Sequence, residues 1–132
     1  MPSRIQRKRE KGWTAPIDAQ GRKPLYVGRG TPWGNPWAVT QTDTGTGWAV
    51  NWTGKRGYRK PIGLNSRIPA DDRRDAHALA VELYEMWLHS NPELMDQARE
   101  QLAGRDLMCW CHESYPCHAD VLLALANPET TR

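Results

Sequence analysis

The segment GRDLMCWCHESYPCHADVLLALAN, Gly104–Asn127, decides the fold. DLMCWC has the length and apolar content of a strand, and CHADVLLALAN reads as a closing helix with Val121, Leu122 and Leu125 turned inward. Gly104 stops whatever precedes it. A strand that turns directly into a helix is the elementary unit of an α/β domain. The same segment carries all three cysteines of the chain and two of its four histidines. Alternate strand residues share a face, so Cys109 and Cys111 point together and Trp110 points away. Cys117 and His118 fall in the first helical turn, where free backbone N–H groups and the helix dipole favour anions. Cys117 and Asp120 have the spacing of a capping pair, with Ser114, or Tyr115 with Pro116, as the alternative cap.

Upstream, NPELMDQAREQLAG predicts a helix with Asn91 as N-cap, Pro92 at N1 and Gly104 as the stop. A longer helix begins near Asp71, whose neighbours Asp72 and Asp75 suit the positive end of the dipole. Ala76, Leu79, Ala80, Leu83 and Trp87 form one apolar face, and Val81, Tyr84 and Leu88 a second, so this helix should pack on two sides. WAVTQ and GWAVNWT predict a hairpin around the polar turn TDTGT. KPLYVGRG predicts a short strand, Leu25 to Val27, and residues 53–69 read as loop. The expected fold is a small single α/β domain: a mixed sheet with a β-hairpin and about three packed helices, α+β being the alternative. Residues 1–12 form a basic arm, 13–127 the domain and 128–132 a tail. Both ends are expected to be mobile unless a partner orders them.

At 132 residues the chain is about one domain long. Its mean hydropathy of −0.76 requires extensive polar surface. No apolar run approaches the roughly 20 residues that span a bilayer. The basic N-terminus lacks the apolar stretch of a signal peptide. Three cysteines cannot all pair, which fits a reducing cytoplasm with thiols free or metal-bound.

Positive charge is clustered. SRIQRKREKGW holds Arg4, Arg7, Lys8, Arg9 and Lys11, and GKRGYRKP holds Lys55, Arg56, Arg59 and Lys60 around Tyr58. Such clusters attract polyanions and interleaved rings stack on bases; the alternative is a solvated tail and a solvated loop. YVGRGTPWGNPW follows a strand: Gly28, Gly30 and Gly34 permit close approach of a ligand, and Arg29 offers a fork to phosphate. Asn35 reads either a base edge or its own turn. Trp33 and Trp37 serve either as a stacking platform or as core.

For CWCHESYPCH three chemistries compete. One is zinc held by Cys109, Cys111, Cys117 and His112 or His118. The second is a ligand crevice at the carboxyl end of a strand, with a thiol activated by the helix dipole and a histidine. The third is a buried strand–helix junction that happens to use cysteine.

Taken together, RIQRKREKGW, YVGRGTPWGNPW, AVELYEMWL and the Gly104–Asn127 segment resemble an uncharacterised domain family of bacteriophages and bacteria, especially actinobacteria. The likeness spans nearly the whole chain through Gly12 and Trp13, Gly28, Arg29, Trp33, Gly34, Asn35 and Pro36, and Cys109, Cys111, Cys117, His118 and Asp120. DAQGRK lengthens the connection between arm and loop, and the region 41–66 is particular to this chain. The resemblance implies a phage-type or bacterial protein and brings no activity with it.

The leading functional expectation is a protein that binds, and acts on, a nucleotide or nucleic-acid base in a crevice between GRGTPWGNP and CWC…PCH. Gly28, Arg29, Gly30, Trp33, Gly34 and Asn35 would hold the ligand, and His118, Asp120 and Glu113 would supply acid–base chemistry. Cys117 is the candidate nucleophile, and N-glycosidic or phosphate-ester chemistry suits these residue types. The alternative is a non-enzymatic nucleic-acid-binding module stabilised by zinc at Cys109, Cys111, Cys117 and His118. A third reading is a partner of a host protein, bound through exposed tryptophans.

Overall fold

The computed structural model describes residues 2–42, 45, 47–54 and 59–128. Its elements are β1 (Arg4–Gln6), β2 (Leu25–Tyr26), β3 (Trp37–Gln41), β4 (Trp48–Trp52), β5 (Arg67–Ala70), α1 (Arg73–His89), α2 (Pro92–Leu102), β6 (Leu107–Cys109) and α3 (His118–Ala126). Parallel and antiparallel pairing are both present, divided between two three-stranded sheets. In the first, β6 lies between β1 and β2, parallel to both, with Leu107 opposite Arg4 on one side and Leu25 on the other. In the second, β3, β4 and β5 run antiparallel in chain order, with Val39 opposite Val50 and Val50 opposite Ile68.

The helix α1 joins the sheets, and its two apolar stripes do different work. Ala76, Ala80 and Leu83 pack with Trp37 and Val50 of the antiparallel sheet. Tyr84, Trp87 and Leu88 pack with Leu107, Leu122 and the residues of α2. Asp72 caps α1, accepting from the Asp75 N–H at 2.8 Å. Asn91 occupies the cap position of α2, but its amide reaches back to the Trp87 carbonyl at 2.6 Å and makes no side-chain cap.

Two strands depart from the sequence expectation. The basic arm is not loose where Arg4–Gln6 pair with the central strand, and Leu107 N–H and Arg7 N–H extend that ladder to Ser3 O and Cys109 O. Arg67–Ala70, expected as loop, is an edge strand, where Pro69 can be tolerated because one side of the strand has no partner.

Among the described residues, no helix is long and apolar enough to cross a membrane.

Candidate functional site

Cys109 ends the central strand β6, and Cys117 stands at the N-cap of α3, so the fold returns the chain to the strand's carboxyl end. The sulfurs of Cys109 and Cys117 are 3.0 Å apart, and with Cys111 all three lie within 4.8 Å of one another. Three sulfurs this close could bind a metal ion. Together they favour one negative charge. Hydrogen bonding from Cys111, then from Cys117, draws the Cys109 thiol well below its ordinary range. The bond each of those two makes to Cys109 pushes its own thiol up.

His118 stands beside this triad. Its Nε2 is 2.7 Å from the Val27 carbonyl and its Nδ1 3.6 Å from Cys117 Sγ, and the ring packs edge-on against Tyr84. The carbonyl accepts only from an N–H, which places a proton on Nε2.

A cavity of about 480 Å³ opens where the two sheets meet. That volume lies within the roughly 300–1,000 Å³ of small-molecule sites. One wall carries Cys109, Cys111, Cys117 and His118, and the other carries Gly28, Arg29 and Asn35. Tyr26, Trp37 and Trp110 supply rings, Arg9 and His77 supply nitrogen, and among the described residues no carboxylate lines it. The Trp37 indole N–H is buried without a hydrogen-bond partner among the described residues.

The glycine loop is shaped by contact with itself. A Cβ on Gly34 would sit 2.9 Å from the Gly28 carbonyl oxygen. Thr31 Oγ1 donates to that same oxygen at 2.7 Å. Asn35 is fixed twice: its Oδ1 accepts from Trp37 N–H at 2.9 Å and its Nδ2 donates to Ala80 O at 3.1 Å. It forms its own turn and ties the loop to α1, so its carboxamide serves the wall. Gly30 and Gly34 line a smaller neighbouring depression of about 220 Å³ with Arg29.

Several sequence-assigned residues lie elsewhere. Trp33 and Trp37 are both core rather than a stacking platform, 6% and 2% exposed; the Trp33 carbonyl accepts from Tyr84 Oη at 2.7 Å and the Trp37 ring packs edge-on against Trp52. Asp120 is off the cavity, where its Oδ2 accepts from Cys117 N–H at 3.2 Å and from Arg4 at 3.0 Å. Glu113 is exposed, also off the cavity, and its carbonyl accepts from Arg4 at 2.7 Å. Arg4 is therefore a clip between β1, the 112–113 loop and α3 rather than an open phosphate contact. The Lys60 ammonium donates to the Leu64 carbonyl. Lys8, Lys11 and Arg59 are exposed, and Lys55 and Arg56 lie outside the described residues. Arg7 and Arg9 lie over the Trp110 ring at 4.9 and 4.8 Å. Of the seven tryptophans, Trp110 alone ranks among the exposed large hydrophobics, at 39%.

His77 escaped the sequence reading. It falls in step with Val81, Tyr84 and Leu88, and a histidine interrupting an apolar stripe was the available signal. Its ring stacks on Tyr115, 4.8 Å between centroids and 8° from parallel. Burial, then the Arg73 charge, holds its pKa below the ordinary 6.5.

No curated protein and no solved structure matches the chain. A family profile does, over residues 5–128, the span that holds both cavity walls and the cysteine triad. The chain belongs to the family of the domain of unknown function DUF4326.

Proposed function

We propose that the chain binds a nucleotide-class ligand, a phosphate-bearing anion with an aromatic ring, in the cavity between the two loops. One observation carries this: the lining pairs Arg9, Arg29 and His77 with the rings of Tyr26 and Trp110 and, among the described residues, includes no carboxylate. A guanidinium fork suits phosphate, and rings beside it suit a base. The three cysteines form the floor, with zinc the metal their donor set suits. Asp120 and Glu113 lie off the cavity, so the geometry argues for binding over two-carboxylate hydrolysis of an N-glycosidic bond.

Titration calorimetry with nucleoside mono-, di- and triphosphates tests this. Saturable binding is expected, weakened roughly 10- to 100-fold by Arg29→Ala, as removal of a charge-assisted hydrogen bond predicts. No saturable binding by any of them, or unchanged affinity in Arg29→Ala, overturns the proposal.

A second reading, a nucleic-acid-binding module, is favoured by two arginine–aromatic stacks beside the cavity. Trp110 lies under Arg7 and Arg9 on one side, and Tyr115 under Arg73 and Arg74 on the other. Under that reading an oligonucleotide binds more tightly than a mononucleotide, and its log affinity falls with log salt by about 0.7 per phosphate contacted.

A further inference from the structure

We propose that Cys109, Cys111 and Cys117 form a three-thiolate site for a zinc-class cation, and that its fourth coordination position opens into the cavity.

The sulfur geometry comes first. Zinc–thiolate bonds of about 2.3 Å at tetrahedral angles place sulfurs about 3.8 Å apart. The triad spans 4.8 Å at most, with one edge at 3.0 Å, so an ion is accommodated by side-chain shifts of about 1 Å.

Supporting contacts hold the donors from behind. Cys109 is fixed in the ladder, its carbonyl accepting from Arg7 N–H at 2.7 Å. Cys117 is fixed by the Asp120 carboxylate on its N–H. The loop between Cys111 and Cys117 is clipped by Arg4 through the His112 and Glu113 carbonyls. Outer contacts of this kind orient metal ligands.

The open position follows from what closes the site and what does not. The mutually close donors are the three sulfurs; His118 lies outside that group, with Nδ1 3.6 Å from Cys117 Sγ, and the His118→Gln variant tests its part separately. Among the described residues, no carboxylate lines the cavity onto which all three cysteines face. Three protein ligands with a vacant fourth position is the arrangement of zinc that takes a water or a ligand atom. Three thiolates leave a divalent ion one negative charge in excess, which Arg9 and Arg29 on the same cavity offset. Metal binding stands independently of the nucleotide proposal; only the fourth position's occupant rests on it.

The test uses the full chain, measured for metal content and then loaded with cobalt(II). One metal per chain and the intense visible bands of four-coordinate cobalt are expected. Cys109→Ser, Cys111→Ser and Cys117→Ser should each lower affinity by at least about tenfold, since even outer-shell partners are worth 10- to 100-fold. Cys111 is half-buried, so its variant serves where the other two fail to fold. His118→Gln should keep the stoichiometry and the bands, and imidazole should shift the bands of the wild type. Absence of stoichiometric metal from a chain folded by circular dichroism overturns the site. Loss of metal in a folded His118→Gln, or bands unmoved by imidazole, overturns the open position. Adenosine monophosphate that fails to bind the metal-loaded chain strikes the nucleotide proposal and leaves the metal site standing.

Discussion

His118 Nε2 lies 2.7 Å from the carbonyl oxygen of Val27, which ties the first turn of α3 to the end of β2 across 91 positions of sequence. Both residues are buried, so the bond has no water to replace it. His118→Ala should destabilise the chain by about 1–3 kcal/mol, the penalty for a buried carbonyl left unpaired. Gln, which carries an N–H donor at comparable reach, should recover part of that loss. Urea denaturation of the three proteins ranks them; equal midpoints would remove the bond from the account of stability.

Arg4 and Asp120 predict something different. Their contact at 3.0 Å joins a side chain 12% exposed to one 52% exposed. Screening leaves such a pair little net energy, so the stabilisation by Arg4 lies in its bonds to the loop carbonyls. Arg4→Ala should destabilise by about 1–2 kcal/mol with weak salt dependence, and Asp120→Asn, which keeps an acceptor for the Cys117 N–H, by less. Lysine should not replace arginine, because a point charge cannot span two carbonyls and a carboxylate. Denaturation at low and high salt checks this: a strong salt effect would return the weight to the ion pair.

Gly34 sets the shape of the cavity wall by having no side chain. A Cβ at this position would lie 2.9 Å from the Gly28 carbonyl oxygen and 3.2 Å from Arg29 Cα. Both neighbours are main chain, so neither swings aside as a side chain would. Gly34→Ala should destabilise by about 1–3 kcal/mol through overpacking. Displacing Arg29 should also weaken nucleotide binding by more than the stability loss explains. Thermal melts with and without adenosine monophosphate separate the two effects.

These sites show which features were legible in the sequence. The three helices and the hairpin announce themselves by period and punctuation, which are local. β1 does not: Ile5 is its one apolar residue, and its partner β6 lies about a hundred positions away. β5 carries Pro69, which argues against a strand until the strand is known to be an edge. In the site, spacing brought the three cysteines together, although β6 ends at Cys109 and Cys111 lies beyond the strand rather than on its face. It could not tell that Trp33, in an irregular loop, and Trp37, at the start of β3, are both buried in the core. Nor could composition show that Arg4 is already engaged by Asp120, because that pairing depends on how β1 docks.

His77 gives the chain a pH dependence whose sign can be worked out. Burial first, and the Arg73 charge second, lower its folded pKa below the 6.5 expected of it unfolded. The folded state therefore prefers the neutral ring. Above pH 6.5 neither state binds the proton and His77 contributes nothing to pH dependence. As pH falls through 6.5 the unfolded chain takes the proton first, and stability declines until the folded ring is protonated as well. His77→Phe, which keeps a ring against Tyr115, should flatten that part of the profile. A bound phosphate reverses the preference, because an anion beside His77 favours the imidazolium. Nucleotide affinity should therefore rise as pH is lowered through the bound-state pKa, and His77→Phe should lose that rise while keeping binding at pH 8. Calorimetry across pH 5–8 on both proteins decides it: identical profiles would mean that His77 does not sense the ligand.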